Sequence, residues 1–142
     1  MKGDKVVSSF KVFLAGLLVN GLIGTAQGFA AAPSHTTRTD SGGGVTVKVT
    51  LLDSKTDGDL RFQVALDTHS VNLDSYDLKS ATVLRDDVGK AYLPKAIENK
   101  GSGHHRQSTL VFGKITNGTK RLELVIKDVA GVKERIFRWD LK

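Results

Sequence analysis

The sequence predicts an all-β domain, an antiparallel sandwich of about seven strands over residues 45–142. Three observations carry that expectation. Apolar residues recur with period two in one stretch after another, which puts them on one face of a strand and their neighbours on the other. Turn residues punctuate these stretches at short intervals, and no helical period competes with them. The chain has no cysteine, so packed apolar faces must hold the fold without a disulfide. A small closed barrel is the alternative architecture for the same pattern.

The first third of the chain has a different character. Lys2, Lys5 and Lys11 accompany an apolar run over residues 12–23, VFLAGLLVNGLI, and small residues follow in TAQGFAAAP. A basic start, an apolar centre and a small-residue exit are the parts of a secretory signal peptide. Residues 1–30 are therefore expected to form a signal helix, cleaved after Ala30 or after Gly28. The alternative is an uncleaved anchor. Residues 12–32 are long enough to cross about 30 Å of hydrocarbon as a helix, although Asn20, Gln27 and several glycines weaken such a span. No other stretch is apolar enough to cross, so no membrane span is expected after cleavage. The expected location is the periplasm or the extracellular medium. Residues 31–44 are polar and aperiodic, and read as a flexible mature N-terminus containing His35.

From residue 45 the alternation begins. Val45, Val47, Val49 and Leu51 share one face, and Thr46, Lys48 and Thr50 the other. A turn cluster at residues 53–59, DSKTDGD, leads to a second strand with Leu60, Phe62, Val64 and Leu66 inward. Residues 67–78 break the pattern and suit a connection between sheets with a short helical turn. SATVLR and KAYLP then flank Asp86-Asp87-Val88-Gly89 as a hairpin, and Pro94 ends its second arm. Residues 95–108 read as a second long loop between sheets. Asn117-Gly118 predicts a two-residue hairpin joining TLVFGKIT to RLELVIK, whose Leu122, Leu124 and Ile126 face inward. The last strand places Phe137, Trp139 and Leu141 on one side, with Trp139 as a core plug.

Four stretches, LRFQVALDTHSVNLDSYDL, VLRDDVGKAYLP, GHHRQSTLVF and RIFRWDL, carry a resemblance over about residues 59–141. There the chain resembles small exported bacterial proteins with an immunoglobulin-like β-sandwich domain. The resemblance implies that fold and export. It attaches no activity and transfers no residue role. Where the group has a tighter G-G-H-H-R, this chain has Gly101, Ser102 and Gly103 before its histidines.

The chain carries 21 Lys and Arg against 15 Asp and Glu, a formal net charge of +6. The leader takes Lys2, Lys5, Lys11 and Asp4 out of that balance. The remaining charges are interspersed, whereas nucleic-acid binding needs a concentrated basic stripe. A mildly basic surface suits anionic envelope polymers or headgroups. Met1 is the single methionine and there is no cysteine. That excludes blue-copper and Cu(I) thiolate chemistry, covalent haem attachment and iron–sulfur clusters.

His69, His104 and His105 are the imidazoles of the predicted domain. Each lies where a strand gives way to a connection. If these connections meet at one end of the sandwich, the three histidines with Asp67, Asp74 or Asp77 make a ligand set for Zn²⁺ or Cu²⁺. No H-E-x-x-H or H-x-H spacing accompanies them. The competing expectation is structural, with a buried His69 imidazole tying the crossing segment to the loop at residues 101–108. A third option, a hydrolase using Ser70 or Ser108 with His and Asp, has no G-x-S-x-G or S-x-x-K support. Asp86-Asp87 reads as turn chemistry rather than a glycosidase pair. Tyr76 and Tyr92 read as core or rim packing. Asn117-Gly118-Thr119 matches a glycosylation sequon that a turn explains fully. The expected function is a non-enzymatic interaction module without cofactor, its partner an envelope protein or polymer, with divalent metal binding as the alternative.

Overall fold

A computed structural model describes residues 36–53 and 57–141. The expected leader at residues 1–30, its cleavage sites and His35 lie outside the described residues. In chain order the strands are β1 (Thr37–Gly42), β2 (Val45–Asp53), β3 (Leu60–Thr68), β4 (Thr82–Asp86), β5 (Ala91–Tyr92), β6 (Ala96–Ser102), β7 (His105–Phe112), β8 (Arg121–Val129) and β9 (Val132–Asp140). They form two antiparallel sheets, ordered β1-β2-β3-β7-β6 and β5-β4-β8-β9. The all-β, two-sheet class agrees with the sequence.

The alternation does what its period requires. Val45, Val47, Val49 and Leu51 from β2 and Leu60, Phe62, Val64 and Leu66 from β3 are buried. They join Leu84, Leu122, Leu124, Ile126, Phe137 and Trp139 from the other sheet in one cluster. Each such side chain contributes roughly 1.5–3 kcal/mol by leaving water. Phe62 sits at the centre, edge-on to Phe112 at 5.7 Å and tilted against Trp139 at 5.2 Å. Leu141 is only half-buried at the margin.

Three expectations need correction. The first concerns residues 37–42, expected to be part of a flexible tail. They form β1 and pair with β2, with Asp40 opposite Val47 and Thr37 opposite Thr50. The segment has no apolar residue to betray it, because its hold is polar. The Thr37 and Thr50 hydroxyls meet at 2.9 Å, and those of Ser41 and Thr46 at 3.0 Å. Arg135 of β9 completes the hold from the other sheet. Its side chain is fully buried, and it donates to Asp40 Oδ2 at 2.9 Å and to the Gly42 carbonyl at 2.7 Å. Trp139 Nε1 donates to the Thr36 carbonyl at 2.8 Å, and Arg38 Nε to the Arg138 carbonyl at 3.0 Å. Side chains thus lace together β1 and β9, the edge strands of different sheets.

The second correction is at residues 95–108, which are not a loop between sheets. β6 and β7 pair as a hairpin, with Ser102 opposite His105. Gly103, at φ 70°, and His104 make its two-residue turn, with glycine where a type II′ turn needs it. The third is Asn117-Gly118. A turn exists there, with Gly118 at φ 83°, but it carries the chain from β7 in one sheet to β8 in the other. The dipeptide fixes a local bend and says nothing about where the flanking strands pair. The turn expected at Asp128-Val129-Ala130-Gly131 does close the β8–β9 hairpin, with Ala130 and Gly131 both at positive φ.

The sheet-crossing connection at residues 67–78 is as expected. A 3-10 turn at Leu73–Ser75 is capped by Asn72 Oδ1, and one helical turn, α1 (Leu78–Ala81), is capped by Asp77. Leu73 and Leu78 plug it into the core. No helix among the described residues is long and apolar enough to cross a membrane.

Candidate functional site at the histidine end

β3 ends at Thr68, where the crossing segment begins, and the β6–β7 turn lies directly against it. Thr68 N–H donates to the His104 carbonyl and Leu73 N–H to the Gly103 carbonyl, each at 3.0 Å. Gly103 N–H donates to Asp74 Oδ1 at 3.0 Å. Arg106, on the inward phase of β7, donates from Nη1 to the Leu73 carbonyl at 3.0 Å and to the Tyr76 carbonyl. The histidines add to this lacing. His104 Nδ1 meets the Val71 carbonyl at 3.2 Å, and His105 Nδ1 meets Asp67 Oδ1 at 2.8 Å.

The neighbouring turns are locked in as well. The Thr68 hydroxyl donates to the Gly44 carbonyl at 2.7 Å and accepts from the N–H groups of Ser70 and Val71. A Cβ on Gly43 would stand 1.9 Å from the Ala130 carbonyl oxygen, so only glycine fits between the two turns. The Tyr76 hydroxyl accepts from Ala130 N–H at 3.1 Å. The expectation that a buried His69 ties these segments needs correction, because His69 is exposed. His104 and His105 do the tying, and both are exposed as well.

Asp67 and His105 are the two predicted metal-site residues that the structure brings together. His104 turns toward Val71. Among the described residues no group of three His, Asp or Glu side chains is arranged to hold a metal ion. Both Nδ1 atoms face oxygens that only accept, so Nδ1 is the donor in each contact, and in the neutral tautomer that fits this geometry the lone pair is on Nε2. Beside the Asp67–His105 pair lies an open depression of about 200 Å³, bordered by Lys100, Gly101 and Gln107. Ser108 is buried and donates to Asn99 Oδ1 at 2.6 Å rather than to a histidine.

Asp74 does enter the site, as an acceptor for a backbone N–H, and Asp77 caps α1. The Ser80 hydroxyl, with the Lys79 N–H, holds the Asp77 carboxyl below its ordinary pKa. What sequence reasoning missed is the inward, structural role of Arg106. Its signal was available, because Arg106 occupies the phase shared by Ser108, Leu110 and Phe112, where a charge is out of place.

At the opposite end the β4–β5 turn is built around Asp86. Its carboxylate accepts from Val88 N–H, Lys90 N–H and the Tyr92 hydroxyl. Burial acts to raise the Asp86 pKa, but the Lys90 N–H, the Tyr92 hydroxyl, the Val88 N–H and the Lys90 charge outweigh it and hold the carboxyl below its ordinary value. Asp86 is thus a turn anchor. Tyr92 carries the link onward by accepting from Thr116 N–H at 3.1 Å. The turn leaves Val88 80% exposed, and Leu93, just past β5, is 73% exposed. Comparison with protein-family models, curated proteins and solved structures returned no match.

Proposed function

We propose that the chain is an exported, non-enzymatic interaction module of immunoglobulin-like type, acting in the periplasm or outside the cell on an envelope protein or polymer. The strand orders support the fold type. The orders β2-β3-β7-β6 and β5-β4-β8-β9 correspond to A-B-E-D and C′-C-F-G of immunoglobulin sandwiches, with β1 as an added edge.

The observation that carries the function is the exposure of Val88 and Leu93 on either side of β5. Large apolar side chains held out on an anchored turn are what a binding surface offers. The test is capture from an envelope extract by the wild-type chain and by the Val88→Ser/Leu93→Ser variant. A partner retained by the first and lost by the second is the expected result. Equal capture by both removes this surface from the function.

The acceptors on the two Nδ1 atoms favour a second reading, binding of Zn²⁺ or Cu²⁺ through Nε2 of His104 and His105 with Asp67 behind. A carboxylate or carbonyl on Nδ1 is the usual support of a metal-bound imidazole. Calorimetric titration at pH 7.5 of the wild type and of His104→Ala/His105→Ala decides it. Tight one-to-one binding lost in the variant supports a metal site, and weak binding equal in both rejects it.

A further inference from the structure

Among the described residues β6 is an edge strand. It has seven residues and β7 is its one neighbour there. The other long edges, β1 and β9, are laced to each other, and β5 has two residues. The outward backbone groups of β6 follow from the ladder phase. His104 accepts from Thr68, so the even-numbered residues of β7 bond to β3 and the odd-numbered ones to β6. The Val111 carbonyl accepts from Lys95 N–H in agreement. The residues opposite in phase, Glu98, Lys100 and Ser102, spend their backbone groups on β7. Ile97 and Asn99 therefore direct theirs outward.

A bare edge of this kind templates another strand, and the side chains of β6 match those of β6 itself. A two-fold axis at Asn99 places Glu98 opposite Lys100 of a second copy, and by symmetry does so twice. An axis at Glu98 or at Lys100 sets like charges against each other, which is unfavourable. With the axis at Asn99, Asn99 forms the hydrogen-bonded pair and Glu98/Lys100 the non-hydrogen-bonded pair. In the latter the Cα atoms are about 4.5 Å apart and the side chains closest. Ile97 meets Gly101 of the second copy, where no side chain stands in its way. Gly101 itself, at φ 74°, bends the strand and ends the straight edge. Within one copy Glu98 has only a 3.7 Å contact to Arg61, with both side chains largely exposed, so it is available to a new partner.

We propose that β6 is a self-pairing edge, through which two copies join their five-stranded sheets into one antiparallel sheet centred on Asn99. This goes beyond the interaction surface at Val88 and Leu93 and does not depend on it.

The absence of cysteine makes the test specific, because introduced thiols are the only ones present. Glu98→Cys and Lys100→Cys full-length chains are oxidised separately and mixed. The spacing of a non-hydrogen-bonded pair lies within disulfide range. The expected result is a cross-linked dimer in the mixture and little in either chain alone. Equal cross-linking in all three samples, or none in the mixture, would overturn the proposal. Sedimentation gives a second readout. Lys100→Glu is expected to weaken association roughly tenfold or more, and Glu98→Lys/Lys100→Glu to restore it. A wild-type chain that stays monomeric, or a dimer unmoved by Lys100→Glu, would overturn the proposal equally.

Discussion

The two ends of the domain meet solvent in opposite ways. At the histidine end the crossing segment and the β6–β7 turn are joined bond by bond, and their polar groups are spent on each other. At the other end one carboxylate organises the β4–β5 turn and the apolar side chains of Val88 and Leu93 face water. The conspicuous histidines therefore sit where the molecule is fastened, and the apolar side chains proposed to meet a partner lie at the far end. Polar residues of catalytic type served here to satisfy backbone groups, since a buried carbonyl or N–H without a partner costs about 1–3 kcal/mol.

The comparison breaks if the histidine end tolerates loss of its fasteners. Arg106→Ala removes a charged donor from the Leu73 and Tyr76 carbonyls. It is expected to cost about 3 kcal/mol in urea unfolding, because hydrogen bonds to charged groups are worth about 1.5–3 kcal/mol each. Asp86→Ala tests the other end and should cost about 2 kcal/mol through the freed Val88 and Lys90 N–H groups.

Asp86 also gives a pH signature. Its folded pKa lies below the unfolded one, so its stabilisation is present above the unfolded pKa and is lost as pH falls through the folded one. The wild type is expected to lose stability below about pH 4, and Asp86→Ala to show a shallower decline, read by thermal melts across that range.

His104→Ala/His105→Ala should cost about 1 kcal/mol in total, since both imidazoles are exposed. A loss of several kcal/mol would mean that the histidines, rather than Arg106 and the backbone bonds, hold this end. The smallest effect belongs to Val88→Ser/Leu93→Ser, within about 0.5 kcal/mol of wild type. A larger loss would place these side chains among the stabilising contacts and count against the binding role proposed for them.

The strands with apolar faces were legible, because period two is a direct record of which side of a strand is dry. Val45 to Leu51 in β2 and Leu60 to Leu66 in β3 lie as the alternation places them. The polar edges were not legible. TRTDSG in β1 and AIENKGS in β6 pair through backbone groups, which every residue carries. The histidines and Asp67 were visible as residue types. Their partners were not, because Val71 reaches the β6–β7 turn only through the fold of the crossing segment, and Asp67 only through the β3–β7 register. Two arginines did leave a trace. Arg106 and Arg135 each occupy an inward position in an alternating strand, and a cation there calls for acceptors inside the fold.

The lacing of β1 to β9 bears on how the chain reaches its fold. The Arg135–Asp40 and Trp139–Thr36 bonds join residues 95 and 103 positions apart. Contacts of that span form slowly, because loop closure precedes any gain from them. As the chain emerges from the ribosome, Asp40 waits for Arg135 until nearly all of the domain has been made. Without β9, β1 loses its fasteners and Phe62 its tryptophan. β9 acts as a clasp, and the rest of the domain must be present before it can shut.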